Sequence, residues 1–429
     1  MPSGIDTILS SIRNKTILIL GFGREGKSTV KFLLEWIPEA EIGIADLNPV
    51  PTDILNNNPN ICTYSGECYL EAISKYELII KTPGIPGRFL SLRDDQILTS
   101  QTDLFLAAFH KQTIGVTGTK GKSTTSSLIH HLLLNTGFKS ILTGNIGIPC
   151  FDILPQITDD SKVVFELSAN QLEHVRHSPA IAVLLNIYEE HLDHFGTFEA
   201  YKNAKLNLII NALPGDTLIL YKDLSINFDR QNVKIELFPS VKYPDSFDLK
   251  LPGEHNQWNA QAAVLACLAA GADFESLKAH LATFKGLPHR LEYVGEKAEV
   301  HFYNDSIATI PEACIAALQT FKKVDFLFLG GFDRGIHYSI LTDYIKNHPV
   351  RHILLTGDAG KRIGNDLTDL KHPGITLHYF KTMEEAFRII HDLKQTGDVC
   401  LLSPAAASYD QYKNFEHRGE VFKSLVANF

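Results

Sequence analysis

Short apolar runs at residues 15–20, 114–117 and 326–329 each break into a glycine-rich turn, and helical stretches separate these from further apolar runs along the chain. Strands alternating with helices, with glycine loops at strand ends, predict an α/β protein with mostly parallel sheets. A length of 429 residues exceeds what one hydrophobic core supports. Three domains are therefore expected: a Rossmann-like N-terminal domain over 1–108, a central P-loop ATPase-type domain over 109–286 with a mostly parallel sheet, and a Rossmann-like C-terminal domain over 287–429.

The bulk composition narrows the function classes. A net charge of -9 argues against a general nucleic-acid binder or a partner of anionic membranes. The six cysteines, Cys62, Cys68, Cys150, Cys267, Cys314 and Cys400, show no metal-type spacing and read as reduced thiols. No apolar stretch approaches membrane-spanning length, and no leader pattern opens the chain. A monomeric cytoplasmic enzyme acting on small molecules is expected.

Taken in order, the strand at 15–20 runs into Gly21-Phe22-Gly23-Arg24-Glu25-Gly26 and a helix through Trp36. The next strand, 41–45, ends at Asp46, where a Rossmann fold would hold a ribose. Alone, these features point to a dinucleotide. A strand at 78–81 leads into Thr82-Pro83-Gly84-Ile85-Pro86-Gly87, either a ligand loop at a strand's carboxyl end or a plain turn. A short helix at 100–110 follows.

The central segment, TIGVTGTKGKSTTSSLIHHLLLN over residues 113–135, reads strand, loop, helix. Its glycine turn and following helix would cradle an anion on backbone NH groups, with Lys122 at the terminal phosphates and the hydroxyl of Ser123 or Thr124 on Mg²⁺. The match to G-x-x-x-x-G-K-[ST] is imperfect, since Val116 stands where the first glycine belongs. Strand 141–148 ends around Gly144-Asn145-Ile146-Gly147. The apolar strand 163–168 carries Glu166, which suits a Mg²⁺ ligand or a cap. Strand 180–187 leads to Glu189-Glu190-His191-Leu192-Asp193-His194, a solvated loop or a metal or substrate contact. Lys205, on a helix at 198–211, reads as a snorkelling surface residue. After a strand at 217–221 and a less regular stretch to Lys250, Asn256 and Asn259 precede an alanine-rich helix at 260–270, where they would cap it or read a base edge. Residues 286–290 read as a linker. Strands at 300–303, 326–329, 353–356 and 399–402 then carry Asp305, Arg334 and Ser408 near their ends, as in a ligand-binding lobe.

T-G-T-K-G-K-S-T at 117–124, E-L-S-A-N-Q-L-E at 166–173, E-E-H-L-D-H at 189–194, G-E-H-N-Q-W-N at 253–259, L-P-H-R at 287–290 and N-D-S at 304–306 together resemble the Mur ligases of peptidoglycan precursor synthesis. The tail at 402–419 is similar to that of the member taking D-glutamate. The resemblance implies that ATP activates the carboxylate of UDP-N-acetylmuramoyl-L-alanine as an acyl phosphate for attack by the D-glutamate amine. It implies that Gly118, Thr119, Lys120, Gly121, Lys122, Ser123 and Thr124 hold the phosphates, with Asn256, Asn259, Arg290 and Asp305 on the nucleotide. Two Mg²⁺ would be held by Ser123, Glu166, His191 and Lys205, the lysine as a carbamate, and Lys122, His191 and Lys205 would be catalytic. Gly23, Arg24, Glu25, Gly26, Asp46, Thr82, Pro83, Gly84 and Asn145 would bind the UDP-sugar, and Thr309, Arg334, Ser408, Asn414 and Phe415 the D-glutamate. Two departures stand out: Ile307 replaces a lysine usual in the family, and Arg334 sits where some members have lysine in another register. An arginine fork still suits the glutamate carboxylate.

Two linkers between three lobes predict a C-terminal lobe that closes on ATP and acceptor. The competing readings are another amino-acid ligase of this chemistry, including folylpolyglutamate synthetase, a dinucleotide oxidoreductase built on 21–26, and a nucleotide-binding switch. ATP with Mg²⁺ is expected to raise the thermal unfolding midpoint and NAD(P) to leave it unchanged; protection by NAD(P) alone would select the oxidoreductase.

Overall fold

The computed structural model describes residues 3–51, 58–224, 226, 231–240, 247–251, 253–369 and 374–429. Strands whose residues are buried on both faces form the centre of each sheet, as continuous apolar runs require when helices cover both sides. Among the described residues there are three sheets. The first comprises β1 (Ile17–Leu20), β2 (Ile42–Asp46), β3 (Ile61–Ser65), β4 (Leu78–Lys81) and β5 (Ile97–Thr99), all parallel, in the order β3-β2-β1-β4-β5. The strand order reverses beside β1, so the loops after β1 and β4 border the crevice where such sheets bind ligands.

The second sheet is β6 (Thr113–Thr117), β7 (Lys139–Gly144), β8 (Ser161–Glu166), β9 (Ile181–Leu184), β10 (Thr217–Tyr221) and β11 (Lys234–Phe238), ordered β11-β10-β9-β6-β8-β7 and again parallel. β6 is central, and its register sets Val116 opposite Glu166 of β8. The third sheet is β12 (Glu292–Lys297), β13 (Val300–Asn304), β14 (Phe326–Gly330), β15 (His352–Thr356), β16 (Thr376–Tyr379) and β17 (Asp398–Leu402), ordered β12-β13-β17-β14-β15-β16. Only β12 among these runs antiparallel, against β13.

The fold is the three-sheet α/β architecture expected, with two differences. The first and second sheets share one apolar core: Phe32 packs on Phe151 with ring centroids 4.6 Å apart, and Phe105 meets Phe165 edge-on at 5.5 Å. They form one compact unit, residues 1–247 with 257–281, while 248–256 and 282–429 form a second. The helix Gln101–Phe109, at the end of which a boundary was expected, is capped by Ser100 and buries Leu104, Phe105, Leu106 and Phe109 in that core. The second difference is that the helix expected from residue 260 begins at Glu254, so Asn256 and Asn259 lie within its first two turns and not ahead of its start.

Gly26 shows how closely the helix Arg24–Trp36 packs on the first sheet. A Cβ there would sit 2.2 Å from the carbonyl oxygen of Gly21, a backbone atom that cannot swing away. Gly26→Ala is expected to lower stability by about 1–3 kcal/mol, the usual range for overpacking; an unchanged urea midpoint for the first unit would show that the helix can shift.

Candidate active site

The turn after β6 is closed by its own lysine. Lys122 Nζ donates to the carbonyls of Gly118 and Thr119, each at 2.9 Å. Gly121 takes φ +87° at the N-cap of the helix Lys122–Asn135, a left-handed conformation natural to glycine, and a Cβ there would lie 2.5 Å from Asn259 Oδ1. The Asn259 amide is therefore packed against the turn, and Asn256 lies one helical turn earlier. Against the expectation that successive NH groups of the turn face an anion, Thr119 N donates to Asn186 O (3.0 Å) and Lys120 N to Asn186 Oδ1 (2.8 Å). The Thr119 hydroxyl bonds Tyr201 Oη at 2.9 Å. These two residues are scaffold. The helix Lys122–Asn135 turns its N-terminal end, where backbone NH groups lack intrahelical acceptors, toward this turn, the usual geometry for holding an anion.

Glu166 ends β8 and is 1% exposed. Its Oε1 accepts from Asn145 Nδ2 at 2.9 Å, while Oε2 is buried without a protein donor. An orphaned carboxylate oxygen beside a phosphate turn suits a divalent cation, which would offset the cost of burying it. Lys205 overturns the surface reading. It is 1% exposed on the helix Phe198–Ile210, donates from Nζ to Gly118 O at 2.8 Å and stands 4.8 Å above the Tyr201 ring. Burial, then the charge of Lys122, lower its pKa to about 7 against the pull of Glu190. Periodicity misses it because lysine is normally the polar edge of a helix, whereas here the face carrying Tyr201, Ala204 and Leu208 is inside. His191 takes φ +56° at the N-cap of the short helix Leu192–Phe195, with its ring 6.0 Å from Tyr201. Among the described residues no three His, Cys, Asp or Glu side chains converge as a cage.

A cleft of about 540 Å³ opens at the switch point of the first sheet. It is lined by eight of the nine residues expected to bind the UDP-sugar: Gly23, Arg24, Glu25, Asp46, Thr82, Pro83, Gly84 and Asn145. The ninth, Gly26, is a packing glycine. Asp46 accepts from Phe22 N at 2.7 Å and from Asn48 N at 2.8 Å, so it shapes the glycine loop. Arg24 donates to Gly147 O at 3.1 Å, joining the loops of the two sheets. Glu25 accepts from Gln171 Nε2 at 2.7 Å, and burial raises its carboxyl to about 6. Ser168 and Gln171 also line this cleft and were missed, although both stand in the E-L-S-A-N-Q-L-E run. Their signal was a capping box, with Ser168 and Gln171 bonding reciprocally at the start of a one-turn helix.

In the second unit, Asp305 is not an open ligand. It is 5% exposed and accepts from Ser403 Oγ at 2.8 Å and Leu291 N at 3.2 Å, so it anchors the loop carrying the exposed Arg290. Burial pushes its carboxyl up to about 7 despite those bonds and the Arg290 charge. Arg334 donates to Thr309 O at 2.6 Å, bringing two expected D-glutamate residues together. The neighbouring Asp333 is taken by Arg362, with both oxygens at 2.7 Å, so it does not neutralise Arg334. Asn414 Oδ1 accepts from His417 N at 2.8 Å and caps the helix Phe415–Ala427. The Phe415 carbonyl accepts from Ser306 Oγ at 2.8 Å, and buried Ser408 accepts from Tyr412 N at 2.9 Å. Arg418 was missed. It is 3% exposed and donates to the carbonyls of Ser306 (2.9 Å) and Ala406 (3.1 Å), tying the loop after β13 to the loop after β17.

Comparison with known proteins shows the family of the chain. The family model of the Mur ligase middle domain matches residues 116–228, and that of the Mur ligase glutamate ligase domain matches 289–406. The UDP-N-acetylmuramoylalanine--D-glutamate ligase of Ruminiclostridium cellulolyticum is 32% identical over 469 aligned positions covering all of both chains. That of Geobacillus kaustophilus is 33% identical over 96% of this chain and 98% of its own. Among solved structures, a UDP-N-acetylmuramoyl-L-alanyl-D-glutamate--2,6-diaminopimelate ligase superposes with TM-score 0.56 at 19% identity, covering 94% of this chain and 89% of its own. MurF ligase from Thermotoga maritima in complex with ADP superposes with TM-score 0.53 at 17% identity over 99% of each chain.

The Lys205 environment sets a pH dependence. A lysine whose folded pKa lies below its unfolded value binds fewer protons folded than unfolded between the two, so stability rises with pH across that interval. In CO₂-free buffer, wild type is expected to gain stability relative to Lys205→Met as pH rises from about 7 towards about 10. A difference between the two urea midpoints that stays flat across that range would show that the ammonium keeps its charge.

Proposed function

The chain belongs to the Mur ligase family, and on that premise we propose that it couples ATP hydrolysis to joining D-glutamate to the carboxylate of UDP-N-acetylmuramoyl-L-alanine. The observation that carries this reading is full-length similarity to ligases named for D-glutamate. A division of labour by sheet is supported by where the loops fall: residues 1–108 for the UDP-sugar, 109–286 for ATP and 287–429 for the amino acid. A cytoplasmic setting fits these substrates; among the described residues no helix is long and apolar enough to cross a membrane.

A carboxylate is a poor electrophile because its leaving group would be an oxide. Phosphorylation by ATP turns that oxygen into a leaving group, and the D-glutamate amine then attacks the acyl phosphate carbon and expels phosphate. This chain's share of that work is orientation and charge neutralisation. Lys122, bound to the turn's own carbonyls, holds its ammonium where the transferred phosphoryl carries charge. Glu166 with Ser123, and His191 with Lys205, would hold Mg²⁺, which supplies further charge neutralisation. Lys205 suits carbamate formation because much of its amine is neutral near pH 7. The ammonium first loses one proton, the neutral nitrogen then attacks CO₂, a C–N bond forms and a second proton leaves, so a buried cation becomes an anion. Arg334, held on Thr309 and not neutralised by Asp333, suits the side-chain carboxylate of the incoming amino acid. Arg290, next in sequence to the His289 carbonyl that accepts from Ile307 N at 3.1 Å, suits the cationic charge that the family's usual lysine would bring.

A phosphate-release assay with UDP-N-acetylmuramoyl-L-alanine, ATP, Mg²⁺ and a panel of D-glutamate, L-glutamate, L-alanine and meso-diaminopimelate is expected to respond to D-glutamate alone. A response to a different acceptor would move the chain to another branch of the family. Lys122→Ala is expected to lower the rate by about 10²–10³-fold, as for loss of one preorganised charge stabiliser. Lys205→Ala is expected to lose activity and the carbamate carbon signal that wild type shows with ¹³C-bicarbonate. Full activity in that variant, or wild type without the signal, would exclude the carbamate.

A further inference from the structure

We infer that Glu173 is a positioning residue that locks the loop bordering the UDP-sugar cleft to the segment carrying His191, so that the two sites are set in register by one carboxylate. Glu173 Oε2 receives Lys81 Nζ at 2.9 Å and faces His194 Nε2 at 3.3 Å. Gly87 N donates to Oε1 at 3.0 Å, with Oε2 at 3.2 Å. Lys81 is the last residue of β4 and immediately precedes Thr82-Pro83-Gly84, while Gly87 lies at the far end of the same loop. Glu173 therefore holds both ends of a loop that lines the cleft.

The other partner lies on the segment carrying His191. His194 belongs to the short helix whose N-cap is His191. Asn170 Nδ2 lies 3.2 Å from His194 Nδ1 and 3.4 Å from Pro83 O, repeating the link. Arg88, next to Gly87, donates to Asp193 O and makes a third thread between the same two segments. Lys81 is 4% exposed, His194 8% and Glu173 13%, so water cannot readily take over a lost partner. A buried carboxylate so placed cannot lose its charge without releasing several partners at once. Neither phosphoryl transfer nor amide formation uses it as an acid or base. Its effect is to transmit the position of one loop to the other.

The inference rests on the ligase reading, and its test separates the two. Wild type must first release phosphate with UDP-N-acetylmuramoyl-L-alanine, D-glutamate and ATP; absence of release sinks that reading whatever the variants do. Given release, Glu173→Gln is expected to raise KM for the UDP-sugar and the Mg²⁺ concentration for half-maximal rate together, each about tenfold, as for loss of a charge-assisted hydrogen bond. KM for D-glutamate should stay within about twofold, and Lys81→Met added to Glu173→Gln should add little, because the two act as one unit. A UDP-sugar KM that moves without the Mg²⁺ midpoint, neither moving, or an equal rise for D-glutamate would overturn the proposal. Should Glu173→Gln fail to fold, His194→Gln cuts only the His191 side and is expected to raise the same two parameters; unchanged values there overturn it equally.

Discussion

Parallel pairing is the constraint on which the molecule depends. A parallel strand pair needs a long crossover, so helices cover both faces and the carboxyl ends of neighbouring strands gather on one edge. In this chain that edge carries the turn after β6, Glu166 at the end of β8 and the segment after β9. In the first sheet it carries the glycine loop after β1 and the proline-glycine loop after β4. In the third it carries Asp305, Arg334 and Ser408. Residues distant in sequence become neighbours because the sheet order, not the chain order, decides which loops are adjacent.

The second theme is charge taken out of water without a simple opposite partner. Lys205 bonds a carbonyl, Arg418 bonds three carbonyls and a hydroxyl, and one oxygen of Glu166 has no protein donor. Burial lowers Arg418 to about 10, against the pull of Tyr412 and Asp410. A protein built for stability alone would replace such groups with apolar ones. Where they persist they either assemble loops, as Arg418 does, or are left with capacity for a substrate, an ion or CO₂.

Legibility in the sequence followed burial. Central strands were readable because both faces are apolar, and β10 was placed to the residue. β3, β11 and β16 were missed because they are sheet edges with mixed, partly exposed residues and no apolar run. The phosphate turn and the cleft residues were legible as short motifs, since close backbone approach dictates glycine and a strand end dictates where a ligand sits. Lys205 was illegible from pattern because its burial comes from tertiary packing, and only the family resemblance pointed to it. Glu173 and Arg418 were illegible for a different reason: both act through segments far away in the chain, and no local spacing records that.

The first unit is not continuous in the chain, since residues 257–281 return to it after the polypeptide has entered the second. During synthesis the first unit therefore stays incomplete until residue 281 has cleared the ribosome. A nascent chain stopped near residue 108 would leave Phe32 and Phe105 without Phe151 and Phe165, the rings they pack against. The enzyme's early exposure to chaperones and proteases is thus set by chain connectivity, not by the strength of the finished core.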